Sequence, residues 1–246
     1  MTAATKRRRL QLVDALRGFA IVQMIVFHFT YNLDQFGYVK VVVNRDQPWA
    51  AWRIAIVTQF LLLVGVSLVL RSRFAPDWGA FFRRWGQIAF SAALVSFGSR
   101  LFFAERFIQF GILHFIAAAL LIARPLAPLG AWNLPLGAAA LALGLGYADP
   151  SFDASPANWL GFTTQLPSTE DYVPLFPWLG VVFLGAGLGA LWRRHDFALV
   201  PALARLDAAA PRTLVFLGSW PLTVYLAHEP ILIGLIWSWG KLFGAG

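Results

Sequence analysis

The sequence predicts an all-α protein, a polytopic membrane helix bundle of about seven transmembrane helices with a cytoplasmic N-terminus. Three observations predict it. Of 246 residues 59% are apolar and 13% charged, against roughly 45–50% and 25% in soluble domains. The apolar residues fall into seven runs near the ~20 residues that a helix needs to cross hydrocarbon. The cations are one-sided: with the N-terminus inside, thirteen Lys and Arg fall at inner ends and loops and four at outer ones, the positive-inside pattern.

The runs follow in order. The first, 10–31, lies behind Lys6, Arg7, Arg8 and Arg9; Asp14 and Arg17 interrupt it and no small-residue cleavage site follows, so it reads as a span and not a removed signal. Runs 50–70, 85–103 and 174–192 carry few or no charges. Runs 107–123 and 130–147 are barely long enough, and 213–242 contains Pro221 and Pro230, which predict a break. The outer loop 148–173 carries four acids and no base. Together the runs leave room for a single membrane domain over 1–246 and no soluble one.

A net charge of +8 on its own suggests nucleic acid, but the cations sit at the ends of apolar runs and form no hydrophilic face. No nucleic-acid partner is expected, and the bilayer is. The absence of Cys excludes disulfides, thiolate metal sites and a thioester-forming nucleophile. Gly185, Gly187 and Gly189 make a small-residue strip that permits close helix approach, either within the chain or in a homodimer.

Ionisable groups within spans cost about 2.5–3.5 kcal/mol each and mark interior or watery positions. Arg17 and His28 are eleven residues apart, three turns and roughly 20°, so they share one face at a separation of about 16 Å. That geometry suits a substrate whose phosphate end is held by a cation inside and whose reactive end meets a base outside. The plainer alternative is an interfacial Asp14–Arg17 pair with His28 at the headgroups. Counting residues places His114 about seven residues into its span and His228 about fifteen into the last run, both at the outer level of His28. No histidine pair has metal-ligand spacing, so no metal is expected. His195, beside Arg193 and Arg194, reads as a solvated interface residue. Asp171, Tyr172 and Trp178 form a stiff acidic and aromatic lip suited to a sugar.

Four segments carry a resemblance: Val13-Asp14-Ala15-Leu16-Arg17-Gly18-Phe19-Ala20 with His28, Phe110-Gly111-Ile112-Leu113-His114, Asp171-Tyr172-Val173-Pro174-Leu175-Phe176-Pro177-Trp178, and Tyr225-Leu226-Ala227-His228-Glu229-Pro230. In this order they resemble the bacterial membrane proteins grouped with the heparan-α-glucosaminide N-acetyltransferase catalytic domain. Arg17 and His28 also resemble the Arg-x10-His signature of a broader transmembrane acyltransferase superfamily. The resemblance implies acetyl-CoA or another acyl-CoA as cytoplasmic co-substrate, an outer glycan or amino-sugar acceptor, and a central histidine. Arg17 and His28 would inherit the motif roles, while His114, Asp171 and His228 match family positions. The chain departs from the pattern at several points: no His lies between Tyr31 and Trp49, where the lysosomal member has one in its first luminal loop; that member has an asparagine at the position of His28; and Trp220-Pro221 and Glu229 stand where the C-terminal motif has Ser-Leu and Gln.

The expectation is therefore an acyl-CoA-dependent O- or N-acyltransferase of the inner membrane. His28 acts as general base or acyl carrier, and His114, Asp171 and His228 complete the catalytic group. Arg17, Arg71, Arg73, Arg83 and Arg84 hold the CoA phosphates. The alternative is a transporter or flippase whose buried polar groups form a pathway.

Overall fold

The computed structural model describes residues 10–41, 46–71, 77–154, 156–195 and 200–243, with only the backbone of Arg71. Among them the secondary structure is helical throughout: α1 (Gln11–Gln35), α2 (Trp49–Arg71), α3 (Trp78–Phe103), α4 (Ile112–Leu126), α5 (Asn133–Gly146), α6 (Leu175–Arg194), α7 (Pro201–Ala208), α8 (Arg212–Ser219) and α9 (Pro221–Phe243). Five stretches are long and apolar enough to cross a membrane: Gln11–Gln35, Trp49–Leu70, Trp78–Arg106, Ile112–Gly146 and Leu175–Arg194.

The runs 107–123 and 130–147 become α4 and α5, of 15 and 14 residues. Each is shorter than the ~30 Å core at about 1.5 Å per residue. The 3-10 segment Ala127–Trp132 joins them, with Gly130 at φ 64° and ψ −125°, where a side chain would be strained. The expected break in the last run is present: Trp220 (φ −121°, ψ 46°) separates α8 from α9, as a residue preceding proline resists helix. α3 starts earlier than the run 85–103, because the Asp77 carboxylate accepts from Ala80 N at 2.8 Å and caps it.

The chain divides into two compact units, 1–59 with 198–246, and 60–197. In the first, α1 is held at its start by α7: Leu12 N donates to Asp207 Oδ1 at 2.7 Å, and Asp207 is buried. Asp207→Ala is expected to cost about 0.5–2 kcal/mol, read as a lower melting temperature, whereas Asp207→Asn, which keeps an acceptor, should cost less. α1 also crosses α8 at contact distance, because Gly18 and Gly218 face each other's helices. A Cβ on Gly18 would overlap Leu214 O, and one on Gly218 would overlap Asp14 O. Towards α2, the Gln59 amide accepts from Gln23 and donates to the α1 backbone: Gln23 Nε2 donates to Gln59 Oε1 (3.0 Å), Trp52 Nε1 to Gln23 Oε1 (3.1 Å), and Gln59 Nε2 to Leu16 O (2.9 Å). Phe27 and Ile56 form the apolar contact beyond it, flanked by Met24, Tyr31 and Trp52.

In the second unit α6 is the central helix, and its glycine strip is used within the chain. A Cβ on Gly185 would overlap Leu62 O of α2, one on Gly187 would press on Leu134 of α5, and one on Gly180 would press on Gly137 O. Val69, Ala186 and Ala190 fill the same seam. On α3, Phe90, Phe97, Leu101 and Phe102 are exposed, an apolar face fit for lipid.

The loop after α5 is tied by its acids. The Asp153 carboxylate accepts from the Thr164 hydroxyl and amide, each at 2.6 Å. These bonds, the hydroxyl first, hold the Asp153 pKa below the ordinary aspartate value of 3.8. A depressed carboxyl stabilises the loop above its ordinary value and loses that contribution as pH falls through the bound one. A carboxyl ¹³C titration should therefore give Asp153 a midpoint below 3.8, and Thr164→Val should move it back up.

Candidate active site

Continuous α-helix from Gln11 to Gln35 keeps Arg17 and His28 three turns apart on one face, and the C-terminal helices meet that face twice. Towards the start of α1, Arg17 Nη1 donates to Asp14 Oδ1 and to Gly218 O of α8, both at 2.8 Å. The Asp14–Arg17 ion pair is thus formed, at i, i+3 spacing, and Arg17 also fastens α1 to α8.

Three turns further along α1, His28 meets His228 of α9, with Nδ1 of the first 2.6 Å from Nε2 of the second. The ring planes differ by 22° with centroids 4.9 Å apart, so the rings lie edge to edge and the contact is an in-plane hydrogen bond. Its direction follows from a third group. His228 Nδ1 is 2.5 Å from Tyr225 O, and a carbonyl only accepts, so the proton of His228 is on Nδ1. Its Nε2 therefore presents a lone pair, His28 donates from Nδ1, and His28 Nε2 keeps the second lone pair. The backbone carbonyl of Tyr225 so fixes the tautomer of a ring two hydrogen bonds away. Exposure separates the partners: 31% of the His28 side chain is exposed, against 5% of His228. His28 is the ring a substrate can reach, and His228 is the one that orients it.

Glu229 completes the cluster, with Oε2 3.7 Å from His228 Nε2 and 4.0 Å from His28 Nδ1. The three donor atoms lie within 4.8 Å of one another, close enough to raise the question of a metal. A zinc ion bound at 2.0–2.1 Å would hold two tetrahedral ligands about 3.3 Å apart. The histidine nitrogens are 2.6 Å apart, a distance at which they share a proton.

His114 and Asp171 lie in the second unit, around the start of α4. His114 is the third residue of α4 and not the seventh of a longer span, because 107–111 is not α-helical: Ser99 Oγ accepts from Ile108 N (3.0 Å) and Ser96 Oγ donates to Ile108 O (2.5 Å). Since Ser96 gives its proton to a carbonyl, its contact with His114 Nε2 at 3.1 Å is donated by the ring. His114 Nδ1 faces Gly111 N at 3.4 Å, so both nitrogens are engaged locally. Asp171 Oδ2 accepts from Ile112 N at 2.8 Å and serves as a cap on α4. Beside it Glu170 meets Arg106 at 3.2 Å, and the Tyr172 hydroxyl is bonded to Asn158 O at 2.6 Å.

His228 is the eighth residue of α9, closer to its start than the fifteenth position counted along an unbroken run. Arg83 and Arg84 are exposed in the opening turns of α3, Arg71 ends α2, and Arg73 lies outside the described residues, as do Lys6, Arg7, Arg8 and Arg9. Sequence reasoning missed Tyr225, Gly218 and Ser96. Tyr225 had a signal in its i−3 spacing to His228; the other two act only through contacts distant in the chain.

Residues 9–230 match the family model described as heparan-alpha-glucosaminide N-acetyltransferase, catalytic. The chain belongs to this family. The match contains all four segments of the resemblance and every member of the His28, His228 and Glu229 cluster. No curated protein and no solved structure matches the chain. Membership in the N-acetyltransferase catalytic family makes it a membrane acyltransferase, in keeping with helices apolar enough to cross a bilayer.

Proposed function

We propose that the chain transfers an acyl group, in the simplest case acetyl, from cytoplasmic acyl-CoA to a glycan or amino-sugar acceptor across the inner membrane. The observation that carries this reading is the oriented pair, in which His28 offers an unprotonated Nε2 and His228 holds its other edge. The acceptor O–H or N–H gives its proton to His28 Nε2 as its oxygen or nitrogen attacks the thioester carbonyl. The C–S bond breaks, and the departing sulfur takes the proton from His28 to leave as CoA thiol. His228 supports the positive charge that His28 carries between the two proton transfers, with Glu229 alongside.

The cations Arg17, Arg71, Arg73, Arg83 and Arg84 are assigned to the donor's phosphates. Their side is taken as cytoplasmic from the thirteen-to-four distribution, with seven crossings overall and the N-terminus inside. Asp171 and His114 are assigned to the acceptor side, as positioning groups that keep the loop lip on the start of α4. Proteoliposomes test the reading. With acetyl-CoA on the arginine-rich face and glucosamine on the other, CoA thiol should appear together with acetylated sugar. Thiol release from the opposite face alone would reverse the topology, and no acetyl transfer to any amino sugar or hydroxyl acceptor would overturn the function.

A further inference from the structure

A cavity of ≈560 Å³ lies in the second unit where the Ala127–Trp132 segment meets the end of α6. Gly130, Ala131, Trp132, Ala190, Arg193 and Arg194 are among its lining residues, and among the described residues no acidic side chain lines it. The volume is in the range of about 300–1,000 Å³ usual for small-molecule sites. Gly130 lines it at the kink of the Ala127–Trp132 segment, where its positive φ suits glycine, and Ala131 and Trp132 line it beside that kink. Ala190, buried on α6, presents only a methyl to it.

The two arginines set this cavity apart. Four other guanidinium groups are engaged: Arg17 by Asp14, Arg106 by Glu170, Arg124 over the Trp78 and Phe81 rings, and Arg100 over Phe107. Arg193 and Arg194 are exposed on the last turn of α6, and neither side chain makes an ion pair, hydrogen bond or ring contact among the described residues. Trp132 is 74% exposed and its ring also meets no other ring among them. Two uncompensated forks beside an uncovered indole are the chemistry that holds phosphate oxygens and the flat or apolar group next to them.

We propose that this cavity binds a phosphoryl group carried on a larger ligand, with Arg193 and Arg194 on the phosphate oxygens and Trp132 against the adjoining part. Two sources share this chemistry. One is the nucleotide end of CoA, and that identification rests on the transfer reading above; the other is an anionic phospholipid headgroup, which does not.

The full chain in phosphatidylcholine nanodiscs, titrated with CoA, separates these sources from a parallel series in which phosphatidylglycerol replaces part of the lipid. Binding is read from tryptophan fluorescence and from the rise in melting temperature. The wild type should respond to at least one probe. Arg193→Gln with Arg194→Gln should weaken that response at least tenfold while leaving the unliganded melting temperature unchanged, and Trp132→Leu should weaken it less. A CoA response lost in the double variant identifies the nucleotide, and one seen only with phosphatidylglycerol identifies the lipid. No response of the wild type to either probe, or equal responses in the double variant, overturns the proposal. Its failure is distinguishable from failure of the transfer reading: acetyl transfer that persists in the double variant with unchanged KM, together with equal phosphatidylglycerol responses in wild type and double variant, removes this site and leaves the enzyme. A phosphatidylglycerol response without any transfer does the reverse.

Discussion

His28→Ala is expected to lower acyl transfer by about 10²–10⁴-fold, the usual contribution of one positioned proton-transfer group. The loss should fall on kcat and leave the KM for acyl-CoA near its wild-type value, because the phosphate contacts lie elsewhere in the proposed mechanism. His228→Ala should be damaging to a smaller degree. It leaves the His28 ring in place but removes the acceptor that holds the proton on Nδ1, so the reactive nitrogen is no longer specified. The two defects should not add, since both disable one hydrogen-bonded unit. A double variant no worse than His28→Ala alone would be the signature. Radiolabelled acetyl-CoA distinguishes the two chemical roles of His28: a protein-bound acetyl group trapped in wild type and lost in His28→Ala would mean an acyl carrier, and its absence during turnover a base. Full activity in His28→Ala would remove the histidine from the mechanism altogether.

Gly218→Ala should produce the largest structural effect. The added methyl would overlap the Asp14 carbonyl on α1, which is backbone and cannot rotate away. Overpacking of this kind costs about 1–3 kcal/mol or more, and the helices must separate to relieve it. Separation would also stretch the 2.8 Å bond from Arg17 to Gly218 O, loosening the half-buried Arg17 that pairs with the buried Asp14. The expected result is a marked fall in melting temperature and activity together, with Gly18→Ala giving the same phenotype from the facing helix. Gly98→Ala is the control, because nothing lies within 4 Å of a Cβ there. A Gly218→Ala protein as stable as wild type would mean that α1 and α8 do not pack as described.

Periodicity and composition carried the sequence reading wherever a single helix decided the outcome. Arg17 and His28 share a face because eleven residues are nearly three whole turns, and no tertiary information is needed to know it. The break before Pro221 was legible for the same local reason. The start of α4 was not. Residues 107–111 are apolar enough to extend a helix, yet Ser96 and Ser99 on α3 take the Ile108 backbone groups, and hydropathy has no record of a hydrogen bond from another helix. The same limit hid the capping roles of Asp171 and Asp207, each of which serves a helix remote in sequence. Of the candidate site, the identity of the histidines could be read; which of them pair, and in which tautomer, depended on where Tyr225 O lies.

The interruption at Trp220 has a mechanical consequence. One C-terminal segment, bent into two helices, grips α1 at two heights: a carbonyl from α8 takes Arg17, and an imidazole from α9 takes His28. The grips act as the two jaws of a caliper set to three turns. Inserting a single residue between them would swing one jaw by about 100° and slide it about 1.5 Å, so both cannot close at once. An insertion of seven residues, close to two turns, would restore the angle but lengthen the span by about 10 Å. The eleven-residue interval is therefore gauged from outside α1, and the bend in its neighbour sets the jaws.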